Sequence, residues 1–358
     1  MAHYSESRGS RAIRRLLALS AALLVAVALP VAAPASHACA CGAPAMPDGI
    51  DATATQELAL LSWDGRTETI EMSLDLHSAG DHGALVVPTP APATITSGSR
   101  TTFQELARTT APRRETRRRI FGVPSLPLMS ATPFGDGTPL VLARMRLGAV
   151  EAVTLQAGST AGLQKWLREN GFTLRPEVAA TLGGYVADGW SFTALRLVGE
   201  DLRGALQPLR MTFASTALVY PMRMSRAART QQRVTLYFMG PHRVARTDAD
   251  RSAQTERVDF AGRVRPQDPR LAELARGGDY LTALTYAADP ARITRDFTFG
   301  RAPSDEPHQR VIVEYVSDGR SMMTTLAVIT GAAAALGILT GLAARADRRR
   351  RRIRGEWR

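Results

Sequence analysis

Four side chains that can bind a metal ion or move a proton lie close together in the first third of the chain: Asp75, His77, Asp81 and His82. Carboxylates and imidazoles at short spacing are typical zinc and transition-metal ligands. Asp75 and His77, however, alternate with apolar residues, which places both on the polar face of a predicted strand beside a turn. Solvated polar side chains are expected there, so we predict no metal site and no cofactor.

Motifs that build a catalytic centre are missing from the rest of the sequence. It contains no Gly-x-Ser-x-Gly turn, no His-Glu-x-x-His motif and no glycine-rich phosphate loop. His242 and His308 stand apart and are expected at the surface. Catalytic carboxylates have no local signature, so a hydrolase with a dispersed carboxylate or histidine site stays open as the alternative. We assign no residue a catalytic role.

The two cysteines of the chain, Cys39 and Cys41, are separated by one residue. In an oxidising compartment such a pair closes a small, strained disulfide or stays inert, and these two interpretations are favoured together. Two thiolates alone leave a zinc site incomplete. A lipid-anchored Cys39 is disfavoured because Ser36 stands where a lipobox usually has Leu.

The charge of the chain is concentrated at its ends. The formal net charge is +12, of which the arginine-rich tail 345–358 carries +6 and residues 1–38 carry +3. The small remainder gives no electrostatic footprint for nucleic acid. A local cluster, Arg113 to Arg119, is predicted to be a solvated loop; contact with anionic lipid headgroups or wall polymers is the alternative.

The N-terminal segment has the pattern of a signal peptide. Basic residues precede the apolar run Leu16–Leu29, which is too short to span a bilayer. Small residues follow, so we predict a signal peptide over residues 1–38 with cleavage after Ala35 or Ala38. An uncleaved N-terminal anchor is the alternative.

A second apolar run, Met322–Ala344, has 23 residues and no charge, which is long enough to cross a bilayer of roughly 30 Å. The basic tail 345–358 is therefore expected in the cytoplasm and residues 39–320 outside it. This predicts a single-pass cell-membrane protein with its transmembrane helix over 321–344. Gly337 and Gly341 are spaced for close helix packing and are a candidate site for homodimerisation.

Alternation of polar and apolar residues predicts a hairpin of Glu57–Trp63 and Thr67–His77, joined at Asp64-Gly65. A helix is predicted from Ser159 or Thr160 to Asn170, with Trp166 and Leu167 buried. Further strands are predicted at Ala84–Val87, Leu140–Leu155, Trp190–Val198, Leu209–Phe213, Ala217–Met224, Arg233–Phe238, Tyr280–Tyr286, Asp296–Phe299 and Val311–Val316, and further helices at Thr101–Arg108, from Pro176 towards Tyr185, and near Pro269–Arg276.

Two segments are expected to lack regular pairing. Pro88–Pro92 is predicted to be extended polyproline-like backbone, and Ala111–Thr138 a long surface excursion. The whole pattern predicts an α+β fold: a mostly antiparallel β ectodomain with a few short helices, plus one C-terminal transmembrane helix.

Several segments in this order resemble one bacterial family of exported proteins, the domain of unknown function 2330, in its actinobacterial, membrane-anchored form. The resemblance covers about Cys39 to Val316 and the C-terminal helix, and it implies no activity, ligand or catalytic residue. The segments that carry it are Cys39–Gly42, Trp63–Glu68, Ala84–Pro92, Trp166–Phe172, Gly189–Phe192, Leu209–Ser215, Val219–Arg223 and Tyr280–Thr282.

These observations favour a non-enzymatic binding or scaffolding module of the cell envelope. Its expected partners are the lipid bilayer and a cell-wall component or membrane protein, and no nucleic acid is expected.

Overall fold

The structure is a computed structural model that describes residues 42–47, 50, 52–78, 80, 82–118, 151–155, 160–198 and 203–316, and ten isolated positions between 327 and 346. All of them belong to one compact unit, Ser36–Arg358. The strands are β1 (Ala43–Ala45), β2 (Ala52–Trp63), β3 (Thr67–Ser78), β4 (His82–Thr89), β5 (Thr94–Ser97), β6 (Arg113–Arg118), β7 (Glu151–Leu155), β8 (Ser191–Val198), β9 (Arg203–Ala205), β10 (Leu209–Ala214), β11 (Leu218–Tyr220), β12 (Gln232–Gly240), β13 (Val244–Arg246), β14 (Thr255–Arg263), β15 (Tyr280–Ala288), β16 (Phe297–Arg301), β17 (His308–Gln309) and β18 (Val311–Val316). The helices are α1 (Arg100–Thr109), α2 (Thr160–Glu169), α3 (Pro176–Ala187), α4 (Pro269–Leu274) and the short 3-10 helices Met222–Ala227, Ala275–Gly277 and Pro290–Arg292.

The predicted hairpin of β2 and β3 is confirmed and forms the centre of the fold. Its two strands are antiparallel, and their pairing extends to the turn, where Trp63 lies opposite Glu68. The turn forms because the Asp64 carboxylate accepts hydrogen bonds from the backbone N–H groups of Arg66 and Thr67 at 2.9 and 2.7 Å. Gly65 follows with φ +98°, a conformation that side chains disfavour.

The largest sheet has nine strands in the order β17, β14, β15, β12, β2, β3, β10 and β5, with β9 also on β3. All of its pairings are antiparallel except that of β12 with β2, which is parallel. The antiparallel character predicted from the sequence is therefore confirmed, with this strand as a local exception.

The described residues form three smaller sheets as well: β1, β4, β8 and β7; β11, β16 and β13; and a parallel two-stranded ribbon of β6 and β18. Apolar side chains cover both faces of the nine-stranded sheet. On one face Ile70 and Met72 lie in the main core, and on the other Leu58 and Leu60 pack against Phe103 of α1.

The helices α2 and α3 pack over the four-stranded sheet through Leu163, Leu167, Leu182 and Tyr185. Helix α2 ends just before Asn170-Gly171, and Gly171 adopts φ +82°, as this pair of residues predicts for a helix end. Leu167 is buried as expected, but Trp166 is only partly buried and lies at the margin of this core. The α+β class with a few short helices is confirmed.

The structure corrects four of the sequence-based expectations. Pro88 belongs to β4, at a position opposite Phe192. The predicted strand Ala217–Met224 is divided, because Pro221 ends β11 and a 3-10 helix follows. The excursion Ala111–Thr138 contains the strand β6. The polar face of β3 is not solvated throughout, since Glu71 and Ser73 are buried while Asp75 is partly exposed.

Several predictions fall outside the described residues. They concern the signal peptide 1–38, Cys39 and Cys41, and the glycines Gly337 and Gly341. In the segment 321–344 only isolated helical positions are described, with Val328, Ile338 and Leu342 exposed. Within the described part of the chain, no helix has the length and apolar character needed to cross a membrane.

Candidate functional site

A cleft of about 720 Å³ opens where four connections of the fold meet. It lies beyond the C-terminal end of α3, beside the 3-10 helix that follows β11, and along the segments before β14 and before β16. Its lining is mainly polar and charged: Asp188, Trp190, Val219, Arg223, Asp248, Ala249, Thr294, Arg295, Asp296 and Thr298. Its volume lies within the usual range of small-molecule binding sites.

Local sequence places two of these residues at the rim of the cleft. Helix α3 ends at Asp188, and Gly189 adopts φ +75° to turn the chain. The backbone N–H of Trp190 then donates to the carbonyl of Tyr185 at 3.0 Å, and the two rings pack with centroids 4.9 Å apart. The turn fixes the indole against the end of the helix.

Arg223 is held at the floor of the cleft by two carboxylates. Its Nε donates to Asp296 Oδ2 at 2.6 Å, and its Nη2 lies 2.7 Å from Asp188 Oδ2. The guanidinium carbon also lies 4.1 Å from the centroid of the Tyr185 ring, a cation–π geometry. The side chain is therefore fixed in position before any ligand arrives.

Asp296 has no oxygen left without a partner. Besides Nε, it accepts the backbone N–H of Arg223 at 2.9 Å and the Tyr185 hydroxyl at 2.5 Å, both at Oδ1. Burial raises the pKa of Asp296 above its usual 3.8, while the bonds from Tyr185 and Arg223 oppose the rise. Burial and the nearby Asp296 charge also raise the pKa of the Tyr185 hydroxyl well above 10.0. Tyr185 is therefore a hydrogen-bond donor at neutral pH.

A second ion pair supports the opposite wall. Arg246 binds Asp248 through Nε at 2.6 Å and Nη2 at 2.8 Å, and both side chains are buried. The Arg246 guanidinium lies 3.4 Å from the centroid of the Phe297 ring. Asp250 accepts the backbone N–H groups of Thr294 and Arg295 at 2.7 and 3.0 Å, which holds the Arg295 segment in place.

Two cationic side chains line the cleft. Arg223 is fixed there by its two carboxylate partners, and the exposed Arg295 makes no ion pair among the described residues. The cleft therefore offers N–H donors beside an indole ring, a combination suited to binding an acceptor-rich polar group.

The residues singled out from the sequence are not part of this cleft. His82 packs against Phe172, with ring centroids 6.1 Å apart. Asp75 lies in β3 opposite Ala205 of β9, whereas Asp81 and the side chain of His77 lie outside the described residues. His242 is not an isolated surface histidine, because its Nδ1 lies 3.0 Å from Asp305 Oδ2. No metal-binding cluster of three or more such side chains occurs in the described segments.

Sequence reasoning missed the cleft because its charged residues come from separate connections of the chain. Asp188, Arg223 and Asp296 have no fixed spacing and match no motif. A weak signal was present, since Trp190 and Arg223 lie in two of the segments that carry the family resemblance, Gly189–Phe192 and Val219–Arg223.

Comparison with known proteins gives one family match. The family model described as an uncharacterized protein conserved in bacteria, the domain of unknown function 2330, matches residues 34–300. No curated protein matches the chain.

Among solved structures, the chain is similar to baculovirus P35 at a TM-score of 0.38 and 7% identity, over 72% of this chain and 98% of that one. Two structures of a mutated baculovirus P35 after caspase cleavage match at TM-scores of 0.33 and 0.34, with 7% and 8% identity, over 69% of this chain and 99% and 98% of theirs. Similarity at these scores does not establish a common fold.

Proposed function

This chain belongs to that bacterial family of uncharacterized proteins, and from this premise we propose that it is a membrane-anchored, extracytoplasmic binding module of the cell envelope. The cleft around Arg223 is its ligand site. The observation that carries the proposal is that Arg223, a cation lining the cleft, is fixed in advance by Asp188 and Asp296. A cation held in advance loses little conformational entropy on binding.

The ligand that fits best is rich in hydrogen-bond acceptors, as a saccharide or a phosphate- or carboxylate-bearing polymer is. Arg223 and Arg295 supply donors, and Trp190 supplies a ring against which a flat group can pack. A wall polymer or a neighbouring membrane protein can present such groups.

The proposed location rests on the sequence at both ends of the chain. The apolar run Leu16–Leu29 supports export, Met322–Ala344 supports a single membrane span, and the basic tail 345–358 supports a cytoplasmic C-terminus. Gly337 and Gly341 support a homodimer formed through the span.

Location can be tested without knowledge of the ligand. A reporter fused after Arg358 is expected to be active in the cytoplasm, and external protease is expected to digest residues 39–320 of wall-stripped cells. Protection of those residues from the protease would overturn the proposed topology.

Binding can be tested by co-sedimentation of the detergent-purified full chain with purified cell-wall sacculi. Arg295→Ala removes a free donor and is expected to weaken binding by about tenfold, equivalent to roughly 1.4 kcal/mol. Arg226→Ala is the matched control, because Arg226 is equally exposed and does not line the cleft. Equal binding by wild type and both variants would contradict the assignment of the cleft.

An envelope hydrolase is the second candidate, and one observation favours it. Asp188 and Asp296 both contact the same guanidinium within the cleft, and the pKa of Asp296 is raised by burial. Most glycoside hydrolases use a pair of carboxyl groups, a protonated one as general acid and an ionised one as base or nucleophile. Against this, both oxygens of Asp296 are engaged, so it has no free position from which to donate a proton to substrate.

Asp188→Asn separates the two candidates. A hydrolase would release soluble fragments from sacculi, and this release would fall by at least about a hundredfold in the variant. A binding module releases no fragments with either chain.

A further inference from the structure

The two-stranded ribbon of β6 and β18 is an exposed surface that has no part in the cleft. We call it the basic ribbon. Its parallel register places Arg113 beside Val311 and Arg117 beside Tyr315, and side chains at paired positions of parallel strands point to the same face. One face of the ribbon thus carries arginines next to apolar side chains.

The side chains of this ribbon are exposed to solvent. Arg113 and Arg117 are 65% and 62% exposed, and Tyr315 on their face is 55% exposed. Val311 is also exposed on the same face, and Arg114 on the opposite face is 61% exposed. Large exposed apolar side chains among arginines are typical of a surface that meets a partner.

The ribbon keeps a positive charge after its internal pairing. Strand β6 has four arginines and one glutamate, and β18 contributes one glutamate. Glu115 lies between Arg113 and Arg117 at 2.7 and 3.6 Å, and Glu314 pairs with Arg114. Exposed ion pairs of this kind are weak, so the arginines can rearrange towards an anionic partner.

The position of the ribbon in the chain indicates which partner. Strand β18 ends at Val316, and only residues 317–321 separate it from the apolar run that begins at Met322. Five extended residues reach at most roughly 18 Å. Because β6 runs parallel to β18, the arginine strand approaches the same end.

We propose that the basic ribbon docks on the anionic lipid headgroups of the membrane in which the chain is anchored. The proposal rests on the membrane topology proposed above. Arginines attract anionic lipids over a Debye length, and tyrosine is enriched at the headgroup level because its ring is apolar and its hydroxyl polar. A wall polymer can pack on the Tyr315 ring, but the exposed aliphatic Val311 beside it and the short connection from β18 to the apolar run make lipid the occupant that the surface favours.

The test uses the full chain with Cys39→Ser, Cys41→Ser and Val313→Cys, labelled at position 313 with an environment-sensitive fluorophore. Val313 is partly exposed and lies on the same face as Tyr315, which this variant keeps. It is reconstituted in nanodiscs of phosphatidylcholine, with or without about 30 mol% phosphatidylglycerol, and with a headgroup spin-labelled lipid as quencher. Quenching is expected to be at least about twofold stronger in the anionic discs and to lose this excess when NaCl rises from about 0.05 M to about 0.5 M.

The triple variant Arg113→Gln, Arg114→Gln, Arg117→Gln should lose the excess quenching, and the corresponding triple Lys variant should keep it. The matched control is Arg168→Gln, Arg226→Gln, Arg276→Gln, which removes the same charge from exposed arginines elsewhere and should behave as wild type. Equal quenching in both kinds of disc, or equal losses in the Gln triple and the control, would overturn the proposal.

Two further readings keep the outcome specific. Excess quenching that disappears on addition of a soluble anionic wall polymer would assign the ribbon to that polymer and overturn lipid docking. Flotation with phosphatidylcholine-only vesicles reports the membrane span independently, because such vesicles offer the ribbon no anionic lipid. The failure of the proposed membrane topology can therefore be distinguished from the failure of the proposed lipid docking.

Discussion

Replacement of Arg223 by Met tests whether the cleft is organised by its ion pairs. The variant keeps an unbranched apolar side chain but removes the cation that lies over Tyr185 and between Asp188 and Asp296. Removal of one partner from a fully buried ion pair costs about 3–5 kcal/mol. Arg223 is 22% exposed, and its backbone N–H still donates to Asp296, so we expect a loss of about 2–3 kcal/mol in the free energy of unfolding.

The pH dependence of this loss identifies its origin. Burial already raises the pKa of Asp296, and loss of the neighbouring cation raises it further. A carboxyl group whose pKa is higher in the folded than in the unfolded state binds protons more tightly when folded. The unfolding free energy therefore rises as the pH falls through the folded-state pKa. The deficit of the variant should shrink towards acid pH and be largely removed by the added substitution Asp296→Asn.

The measurement is urea denaturation of the full chain in a mild detergent, followed by circular dichroism. Arg295→Met is the matched control, because it removes a cation from the same cleft that makes no ion pair among the described residues; it should cost no more than about 0.5 kcal/mol. A loss below about 1 kcal/mol for Arg223→Met, or one that does not change with pH, would refute the reasoning.

Three further predictions concern the scaffold. Asp268→Ala should cost about 2–4 kcal/mol in urea denaturation, because its carboxylate caps α4 and accepts the hydroxyls of Thr101 and Thr102 in α1. The control Asp289→Ala, which loses one exposed cap bond, should cost below about 1 kcal/mol. In α2, Leu167→Ala should lower the free energy of unfolding by about 2–4 kcal/mol. Trp166→Ala should lower it by about 1–3 kcal/mol, less than replacement of a fully buried aromatic residue does, because Trp166 is only partly buried. A larger loss for Trp166→Ala than for Leu167→Ala would contradict the packing. Burial raises the pKa of Glu68 well above 4.5, so the wild type should lose stability as the pH rises through that folded-state pKa. The urea midpoint of Glu68→Gln should therefore gain on that of the wild type as the pH rises. A difference between the two midpoints that does not change with pH would refute this.

Local structure followed from local sequence where a short-range cause acts. The Asp64-Gly65 turn and the Asn170-Gly171 helix end were predictable because each needs only a glycine with positive φ and its neighbours. Helix α3 was predictable because Pro176 fixes its first turn and its apolar residues recur at helical spacing.

Buried charge was not predictable in the same way. Glu71 alternates with apolar residues on the same face as Asp75, where solvated side chains were expected. Instead the backbone N–H of Ser99 and the guanidinium of Arg210 bind its carboxylate at 2.6 and 3.0–3.1 Å. Both partners come from distant positions in the chain, and no periodicity reports them. No strand was predicted over β14 for a related reason, since its charged residues Arg257 and Asp259 pair with each other only in the folded chain.

The cleft shows the same limit for function. Its three central charged residues meet only because α3, the 3-10 helix after β11 and the start of β16 converge in space. Spacing along the chain can reveal a motif within one element, but not a site assembled from three connections.

The parallel pairing of β12 with β2 has a consequence for the order in which the chain folds. The hairpin of β2 and β3 can close as soon as residues 52–78 are free, but the other edge of β2 finds its partner only in residues 232–240. Until then the edge that includes Leu58 and Leu60 has unpaired backbone groups, which invite association with other chains. Non-local pairing of this kind is also slow. A folding intermediate in which β12 has not yet paired therefore has an unpaired edge on its central strand β2, and a chaperone that prevents aggregation would bind at this edge.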